Sequence, residues 1–535
     1  MLSYSRGHDA PLIEQSIWET FEKTAARFPD KEALVSRHQA VRFTFSELRE
    51  QVERTARGLA GLGIHERDRI GVWSTNCVEW VLLHLACARL GVVLVNVNPA
   101  YRAFELGFVL RKSGMKALFF HEKDARSDYR AVAEEAIAGQ KLGLQHPICF
   151  GTGEWDAMLA RGRDVPARPI SCREVTNIQY TSGTTGSPKG VLLTHRNVLN
   201  NAVILADGMR ITERDRIVVP VPLYHCFGCV IGTLVAVVSG ATMILPSASF
   251  DALATLQAIH EERATAIYGV PTMFIAELNH PAFGSFDFSS LRTGLMAGAP
   301  CPVEIMKRVV KEMHCHGMTV GYGQTESSPV ITMSAADDPV ERRVSTVGQA
   351  CPNTEVKIVS PSGETVQAGV QGELCTRGYL VMKGYDQEPE ATRRAIDEDG
   401  WLHTGDLATM DIDERFRITG RAKDMIIRGG ENVYPREIEE FLHTHPKIAE
   451  VQVVGLPDLR LGETVAAWIR LKEPAEEAEI RAFCSGKIAH FKVPQYIRFV
   501  DEFPMTVTGK VQKFRIREIE IQDRGLEEAA RIQTA

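Results

Sequence analysis

The sequence has no block of like charges, and its overall charge is close to balanced. No run of five or six acidic or basic residues occurs, and 61 Lys and Arg residues stand against 68 Asp and Glu residues, a formal net charge of −7. A dedicated nucleic-acid surface needs a concentrated basic patch, which this pattern does not provide. Any anionic ligand must therefore be held by a few local charges.

Signals for export are also missing. The first residues, MLSYSRGHDAPLIEQ, lack a basic segment followed by an apolar run and a small-residue cleavage site. The 11 cysteines are odd in number and scattered, which is typical of thiols in a reducing compartment. We therefore expect a cytoplasmic protein.

Long uncharged segments are scarce, and the most membrane-like one is CFGCVIGTLVAVVSGATMILP, residues 226–246. Its length alone would admit a spanning helix. Gly240, however, stands where a buried helix would end, and ATMIL is typical of a buried strand that Pro246 terminates. We expect a core helix and strand and no transmembrane segment, and peripheral contact with a membrane stays open.

The hydrophobic content and the order of motifs indicate the fold class. With 535 residues, of which 44% are hydrophobic, the chain can bury more than one core. Thr44 and Glu47 form a capping box ahead of a helix, and Asn76 is a candidate cap for VEWVLLHLACARL, which Gly91 ends. The strand patterns RIGVW, VVLVNV and KALFF lie between such helices. This alternation predicts an α/β fold with stacked βαβ units and largely parallel sheets.

The pattern changes in the second half of the chain. Shorter strands and turns predict a β-rich subdomain over about residues 345–420, and a mixed α+β unit follows. We place the junction at residues 420–424. The prediction is an N-terminal domain over residues 1–420 and a smaller α+β C-terminal domain over residues 421–535.

A loop rich in glycine, hydroxyl groups and one lysine is the clearest chemical motif. Residues 180–190 read YTSGTTGSPKG. Glycine lets backbone N–H groups approach phosphate oxygens, the hydroxyls donate further hydrogen bonds, and the lysine adds a positive charge. The loop leads into GVLLT, a strand, and no Gly-Lys-Ser/Thr triplet occurs, so it is not a Walker A loop. A flexible turn without a ligand is the alternative.

The length and order of this loop resemble the signature loop of the adenylate-forming superfamily, which includes acyl-CoA synthetases, luciferases and the adenylation domains of peptide synthetases. The resemblance extends over nearly the whole chain. It implies that the residues contacting ATP in the loop are Thr181, Ser182, Gly183, Thr184, Thr185, Gly186, Ser187, Pro188 and Lys189.

The segment GYGQTES resembles the superfamily's adenine and metal motif. The resemblance implies that Tyr322 lies against the base, that Thr325 is near phosphate, and that Glu326 and Thr184 hold Mg²⁺ and serve catalysis. A solvated turn carboxylate is the plainer interpretation of Glu326, but triphosphate chemistry needs a metal and a carboxylate is a suitable hard ligand.

Three further segments complete the resemblance. It implies that Asp406 in HTGD and Arg421 in GRAKD hold the ribose and that Lys510 in PMTVTGKVQK is the catalytic lysine. It also implies that the C-terminal domain is mobile and that Lys423 is its hinge. It also implies that Gly429 and Gly430 flank the pantetheine of CoA. Without the resemblance, each of these residues could equally lie in a solvated turn or surface pair.

Other segments, including VPLYHCFG, YGVPTMF, MAGAPCP and IAHFKVP, are most similar to those of medium-chain fatty acyl-CoA synthetases. This similarity implies ATP, Mg²⁺ and coenzyme A as cofactor and co-substrates, and a medium- or long-chain fatty acid as substrate. The residues implied to line the acyl pocket are His225, Phe227, Val230, Gly298, Ala299 and Tyr322.

Two other functions stay open at this point. The chain could be an aryl-CoA ligase for benzoate-like or coumarate-like acids, or a nucleotide-binding relative without catalysis. The presence of Lys189, Glu326, Asp406, Arg421 and Lys510 disfavours the second. The exact acid, its chain length and the oligomeric state do not follow from the sequence.

Overall fold

The protein is described from a computed structural model. The structure describes residues 1–124, 127–138, 142–181, 188–299, 301–421, 424–428, 431–458, 460–485, 487–488, 490–506 and 510–531. The chain groups into two compact units. The larger unit contains Ser5–Val356 and Thr376–His403, and the smaller contains Met1–Tyr4, Lys357–Cys375 and Thr404–Ala535. The domain limits expected from the sequence at about residues 345 and 420 stay predictions.

A seven-stranded sheet forms one layer of the larger unit. Its strand order is Gly384–Tyr385, Lys189–Thr194, Val175–Thr181, Val93–Val97, Arg69–Trp73, Ala117–His121 and His146–Phe150. The last five strands in this order are parallel, and the first two are antiparallel additions. Every residue of Val93–Val97 is buried. This continuous apolar pattern is typical of a parallel strand covered on both faces.

A nine-stranded sheet forms the second layer of the larger unit. Its order is Gln349–Ala350, Val330–Met333, Gly317–Gly323, Thr293–Ala297, Ala266–Gly269, Arg216–Val218, Thr242–Leu245, Glu32–Ser36 and Val41–Thr44. The six strands from Gly317–Gly323 to Glu32–Ser36 are parallel. Their carboxyl ends therefore lie along one edge of the sheet.

Helices connect most of these strands. In the larger unit the α-helices are Ile17–Arg27, Phe45–Gly61, Val78–Leu90, Ala103–Ser113, Tyr129–Ile137, Gly153–Ala160, His195–Gly208, Val235–Ser239, Ala252–Glu261, Pro271–Leu278, Val303–Glu312, Val340–Ser345 and Pro389–Ala395. Phe227–Leu234 is a π-helix, and Phe283–Ser285 and Thr325–Ser327 are 3₁₀ turns.

The smaller unit has a β-sheet with helices of its own. The strand order of this sheet is Glu431–Val433, Ile426–Arg428, Gly462–Leu471 and Ile448–Asp458, and Tyr496–Phe499 also pairs with Gly462–Leu471. Its helices are Pro435–Leu442, Glu477–Cys484, Lys513–Asp523, Glu527–Arg531 and the 3₁₀ turn His490–Lys492. A separate five-stranded sheet has the order Tyr4–Arg6, Thr354–Val359, Gly372–Gly378, Leu402–Met410 and Phe416–Arg421. The predicted α/β class, with a large N-terminal and a smaller α+β C-terminal part, is confirmed.

Of the two helix starts predicted from the sequence, the capping box at Thr44 is confirmed and the cap at Asn76 is wrong. The Thr44 side chain accepts a hydrogen bond from the Glu47 backbone, and the Glu47 carboxylate accepts one from the Thr44 backbone, as a capping box requires. Asn76 does not cap the next helix, whose N-cap is Cys77. The Asn76 amide instead bonds the backbone of Val221 and Leu223, because those distant groups are buried with it.

The apolar segment at residues 226–246 forms a buried helix and strand, as expected. The Val235 N–H donates to the Val230 carbonyl across five residues, which defines the π-helix Phe227–Leu234. Gly240 then ends Val235–Ser239 in the left-handed conformation, with a φ of 74°. In the described part of the chain, no helix has the length and apolar character needed to cross a membrane.

Charged side chains stabilise the amino-terminal edge of the nine-stranded sheet. Glu32 and Glu262 each contact both Arg42 and Arg216, with nitrogen–oxygen distances of 2.5 to 2.9 Å. The four groups form a closed ring in which every charge has two opposite neighbours. Such a network is worth more than isolated surface pairs, which contribute little.

A second ion pair fixes the short strand Gly384–Tyr385 to the seven-stranded sheet. The Arg69 guanidinium donates two hydrogen bonds to the Asp386 carboxylate, at 2.8 and 2.9 Å. The Asp386 side chain is 4% exposed. Its charge is therefore compensated almost entirely by Arg69.

Glu277 is a buried carboxyl group in the helix Pro271–Leu278. It is 1% exposed, and its Oε2 has no hydrogen-bond partner among the described residues. Burial raises the pKa of this group well above its ordinary value. Glu277 is therefore neutral in the folded protein at pH values where an exposed glutamate is charged.

Arg69→Met should lower the free energy of unfolding by about 3 kcal/mol, because it leaves the buried Asp386 carboxylate without its partner. Arg6→Met is the matched control, since Arg6 and its partner Asp9 have side chains that are 60% and 79% exposed. The control should change stability by less than about 0.5 kcal/mol. Chemical denaturation measures both, and equal effects would contradict the importance of the Arg69 pair.

Glu277→Gln should remove a pH-dependent loss of stability. Above the ordinary pKa of glutamate, the unfolded chain loses a proton that the folded chain keeps, so stability falls as pH rises toward the raised pKa. The slope reaches about 1.4 kcal/mol per pH unit. The unfolding free energies of the variant and the parent should diverge as pH rises above the ordinary pKa of glutamate, because only the parent loses stability through this group. The exposed Glu304→Gln is the control, and an unchanged slope in Glu277→Gln would refute a neutral Glu277.

Candidate active site

The predicted phosphate loop connects two antiparallel strands. Val175–Thr181 leads into it, Lys189–Thr194 leads out, and Thr181 pairs directly with Lys189. The two ends of the loop are therefore held at the distance of neighbouring strands. Pro188 precedes the second strand, and the other predicted contacts, Ser182, Gly183, Thr184, Thr185, Gly186 and Ser187, lie outside the described residues.

A tyrosine joins the lysine of this loop to the predicted metal carboxylate. The Lys189 ammonium lies 5.0 Å from the centre of the Tyr385 ring. The Tyr385 hydroxyl donates a hydrogen bond of 3.0 Å to Oε1 of Glu326. Three residues that are far apart in the sequence thus form one continuous set of contacts.

The protonation of Tyr385 agrees with its role as a donor. Burial, reinforced by the neighbouring negative charge of Glu326, raises the pKa of the Tyr385 phenol far above its ordinary value. The phenol therefore keeps its proton throughout the physiological pH range. A charged tyrosine beside Glu326 would repel it.

Tyr322, Gly298 and Ala299 lie at the carboxyl edge of the nine-stranded sheet. Gly298 and Ala299 follow the strand Thr293–Ala297, and Tyr322 is near the end of Gly317–Gly323. These strands are parallel neighbours in which Ala297 pairs with Gly321. Gly298 has a φ of 86°, a conformation that favours glycine. The predicted adenine and acyl residues thus share the edge where ligands bind in open α/β sheets.

His225 and Cys226 connect the start of the π-helix to the metal motif. The His225 Nδ1 accepts a hydrogen bond of 3.1 Å from the Phe227 backbone, so a neutral His225 carries its proton on Nε2. The Cys226 Sγ lies 3.8 Å from the Thr325 hydroxyl. Val230 lies in the same π-helix, and both Phe227 and Val230 are buried.

A series of buried side-chain amides, which we call the amide ladder, lies next to the π-helix. The Asn177 amide donates to the Asn96 side chain at 2.8 Å, and the Gln179 amide donates to Asn177 at 2.7 Å. The same Gln179 amide also lies 3.3 Å from Cys229 in the π-helix. The ladder therefore ties the strand that enters the phosphate loop to the helix predicted to line the acyl pocket.

The predicted ribose residues pair within the smaller unit. Asp406 and Arg421 are directly opposite each other in the antiparallel strands Leu402–Met410 and Phe416–Arg421. Asp406 is buried. Two residues assigned to one ribose are therefore adjacent in the backbone.

Lys510 also lies in the smaller unit, where it closes a short loop. Its N–H donates to the Thr506 hydroxyl at 3.0 Å, and the Thr506 N–H donates to the Lys510 carbonyl at 2.7 Å. The predicted hinge residue Lys423 and the predicted CoA residues Gly429 and Gly430 lie outside the described residues. Their roles stay predictions.

Glu326 is chemically suited to hold Mg²⁺. Its carboxylate is half-buried, and carboxylate oxygens are the usual hard ligands of this ion. The second predicted ligand, Thr184, lies outside the described residues. The donor that is described fits the metal.

Sequence reasoning missed Tyr385 and the amide ladder. The signal for the ladder was present, since VLVNV and VTNIQYT place amides inside strands that are otherwise apolar. Tyr385 had a weaker signal, because the strand that contains it, Gly384–Tyr385, is only two residues long. Only the antiparallel pairing of that strand with Lys189–Thr194 brings the tyrosine to the loop.

Comparison with known proteins agrees with this geometry. Residues 21–386 match the model of the AMP-binding enzyme family, and residues 437–510 match that of the AMP-binding enzyme C-terminal domain. YngI of Bacillus subtilis (strain 168) is 47% identical over 541 residues, which cover 96% of this chain and 98% of YngI. The mitochondrial medium-chain acyl-CoA ligase ACSF2 of Rattus norvegicus is 43% identical over 551 residues, covering 97% of this chain and 89% of ACSF2.

A solved structure matches over a similar length. ATP-bound MatB from Rhodopseudomonas palustris superimposes with a TM-score of 0.86 at 28% identity, covering 95% of this chain and 99% of MatB. The loop, the sheet edge and the near-complete coverage lead to the same conclusion. The chain therefore belongs to the family of AMP-binding enzymes and is an acid–CoA ligase that uses ATP and CoA and releases AMP.

Proposed function

We propose that the chain activates medium-chain fatty acids, forming a fatty acyl-adenylate and then the acyl-CoA thioester. The observation that carries the adenylation step is the set of contacts from Lys189 through Tyr385 to Glu326. The substrate class is supported by the 43% identity to a medium-chain acyl-CoA ligase along nearly the whole chain. The side chains of Phe227 and Val230, which we propose line the acyl pocket, are apolar and would suit an aliphatic tail.

The first step replaces a poor leaving group by a good one. A carboxylate oxygen attacks the α-phosphorus of ATP, the bond to the β-phosphate oxygen breaks, and diphosphate leaves with the electron pair. The enzyme contributes orientation and charge stabilisation, because the reacting groups need no covalent help from the protein. Lys189 and the hydroxyl-rich loop would neutralise the departing diphosphate.

Mg²⁺, when bound to Glu326 and Thr184, would add positive charge at the phosphate oxygens. The protein would hold the rest of the nucleotide through Tyr322 at the base, Thr325 near the phosphates, and the paired positions Asp406 and Arg421 at the ribose. Lys510 would bridge the carboxylate and the α-phosphate.

The second step transfers the acyl group to sulfur. The CoA thiolate attacks the acyl carbon, the bond from that carbon to the phosphate oxygen breaks, and AMP leaves. Lys510 is no longer needed at this stage, and we propose that rotation about Lys423 withdraws it and brings Gly429 and Gly430 to the pantetheine. A rotation of this kind can limit turnover.

The acyl pocket is proposed to lie beside the π-helix. Phe227 and Val230 would form its apolar wall, and Gly298 and Ala299 the opposite edge. His225 presents a protonated Nε2, because its Nδ1 accepts the Phe227 N–H. A cytoplasmic location stays a prediction, and the ACSF2 relative is a mitochondrial protein by name.

Acid-dependent exchange of diphosphate into ATP, measured with octanoate, palmitate, benzoate and coumarate, tests the substrate class. We expect kcat/KM for octanoate to exceed that for benzoate by at least about 10-fold, because a long apolar pocket gains binding energy with each methylene. A preference for benzoate or coumarate would favour an aryl-CoA ligase. ATP binding without exchange for any acid in a broad panel would indicate a non-catalytic relative.

Lys510→Ala should lower this exchange by at least about 100-fold, because it removes a charge aimed at the reacting oxygens. The variant should still convert supplied acyl-adenylate and CoA to thioester. Lys487→Ala is the matched control, since the Lys487 ammonium lies 4.0 Å from the Phe483 ring centre on the surface of the same unit. Equal loss of adenylation and of thioester formation in Lys510→Ala would contradict the proposal that Lys510 serves only the adenylation step.

A further inference from the structure

Tyr385 contacts both charged groups that the proposed adenylation step uses in the larger unit. Its ring faces the Lys189 ammonium, and its hydroxyl donates to the Glu326 carboxylate. We propose that Tyr385 is a positioning residue for the metal site, which orients the Glu326 carboxylate for Mg²⁺ and holds Lys189 beside it. This inference rests on the proposed role of Glu326 as a metal ligand.

The backbone leaves Tyr385 little freedom. Tyr385 pairs with Val191 across the antiparallel strands, and the next residue, Asp386, donates its N–H to the Gly190 carbonyl at 2.7 Å. The Tyr385 N–H donates to the Thr392 hydroxyl at 2.9 Å. The ring is thus fixed next to the strand that begins with Lys189.

Ion pairs to the residues that follow Tyr385 also fix this segment to the seven-stranded sheet. The Asp386 carboxylate is bound by Arg69, and the neighbouring Glu388 carboxylate is bound by Lys112. Both cations belong to elements of the seven-stranded layer. The segment that carries Tyr385 is therefore joined to this layer by two ion pairs.

Glu326 is fixed at two points. Its carbonyl oxygen accepts the Met382 N–H at 2.9 Å, and its Oε1 accepts the Tyr385 hydroxyl at 3.0 Å. Among the described residues, no further hydrogen bond reaches Oε2. One carboxylate oxygen is therefore oriented by the tyrosine while the other is available to a cation, which is how outer hydrogen bonds usually prepare a metal ligand.

The ring gives Lys189 a place beside the carboxylate without a salt bridge to it. An ammonium over an aromatic face is held by a weak electrostatic attraction to the ring. Phosphate oxygens attract the same ammonium more strongly, through charge-assisted hydrogen bonds. The lysine can therefore leave the ring for the nucleotide, whereas an ion pair with Glu326 would neutralise both groups before ATP binds.

Tyr385→Phe removes the hydroxyl but keeps the apolar packing and the aromatic face. The variant therefore tests the hydrogen bond to Glu326 separately from the contact between the ring and Lys189. Free Mn²⁺ can be counted by electron paramagnetic resonance in the presence of α,β-methylene-ATP, so that no turnover is required. We expect the affinity for Mn²⁺ to fall about 10-fold, as is typical when the hydrogen-bond partner of a metal ligand is removed. Affinity for the same analogue in EDTA should not change.

Two further variants are needed to interpret a change in Mn²⁺ affinity in Tyr385→Phe. Glu326→Gln tests the metal assignment, and Tyr379→Phe is the matched control, because the buried Tyr379 hydroxyl also has one hydrogen bond, from the Asn201 amide at 3.2 Å. Weaker Mn²⁺ binding in Tyr385→Phe and in Glu326→Gln, together with unchanged Mn²⁺ binding in Tyr379→Phe, would support the inference.

The other outcomes overturn it in distinguishable ways. Weaker binding in Glu326→Gln alone would leave the metal assignment standing and remove the role of Tyr385. Similar losses in Tyr385→Phe and Tyr379→Phe would reduce Tyr385 to a structural residue. Unchanged Mn²⁺ binding in Glu326→Gln would remove the metal assignment itself, and the role of Tyr385 with it.

Discussion

Parallel strands all end at the same edge of their sheet, and this constraint decides where the larger unit can assemble a site. At the amino-terminal edge of the nine-stranded sheet, Glu32 and Arg216 begin their strands and belong to a closed ring of ion pairs. At the opposite edge, Gly298 follows its strand and is exposed, and Tyr322 lies near the end of its strand and is half-buried. The charges that stabilise the fold and the residues predicted to contact the substrate are therefore separated by the length of a strand.

The phosphate loop depends on a local exception to this parallel order. After Val175–Thr181 the chain turns back as an antiparallel strand, and Gly384–Tyr385 adds to its far side. A crossover helix at this point would have carried the chain away from the sheet edge. The reversal keeps Lys189 at the edge and gives it a distant neighbour in sequence, Tyr385. The chemistry proposed for the loop thus depends on pairing between segments that no local sequence pattern connects.

The parts of the fold that could be predicted are those governed by neighbouring residues. The Thr44 and Glu47 capping box, the Gly91 and Gly240 helix ends and the strand after Gly240 depend on contacts within a few residues, and all were correct. Asn76 was assigned wrongly because its amide bonds backbone more than a hundred residues away. Tyr385 was missed for the same reason. Family resemblance supplied Asp406 and Arg421 as the predicted ribose residues, and their direct pairing depends on the register of two consecutive antiparallel strands, which the sequence pattern does not give.

The π-helix Phe227–Leu234 has a consequence for how this enzyme could diverge. A π-turn contains one residue more than an α-turn, so it corresponds to an insertion that the helix has absorbed. Gly228 fits there only because it lacks a side chain, since a Cβ would come within 2.2 Å of the Pro222 carbonyl. Deleting one residue from this segment would restore α-helical winding and rotate Phe227 relative to the fixed end at Gly240. Evolution could therefore alter the proposed acyl pocket by changing the length of this helix, without replacing the residues proposed to line it.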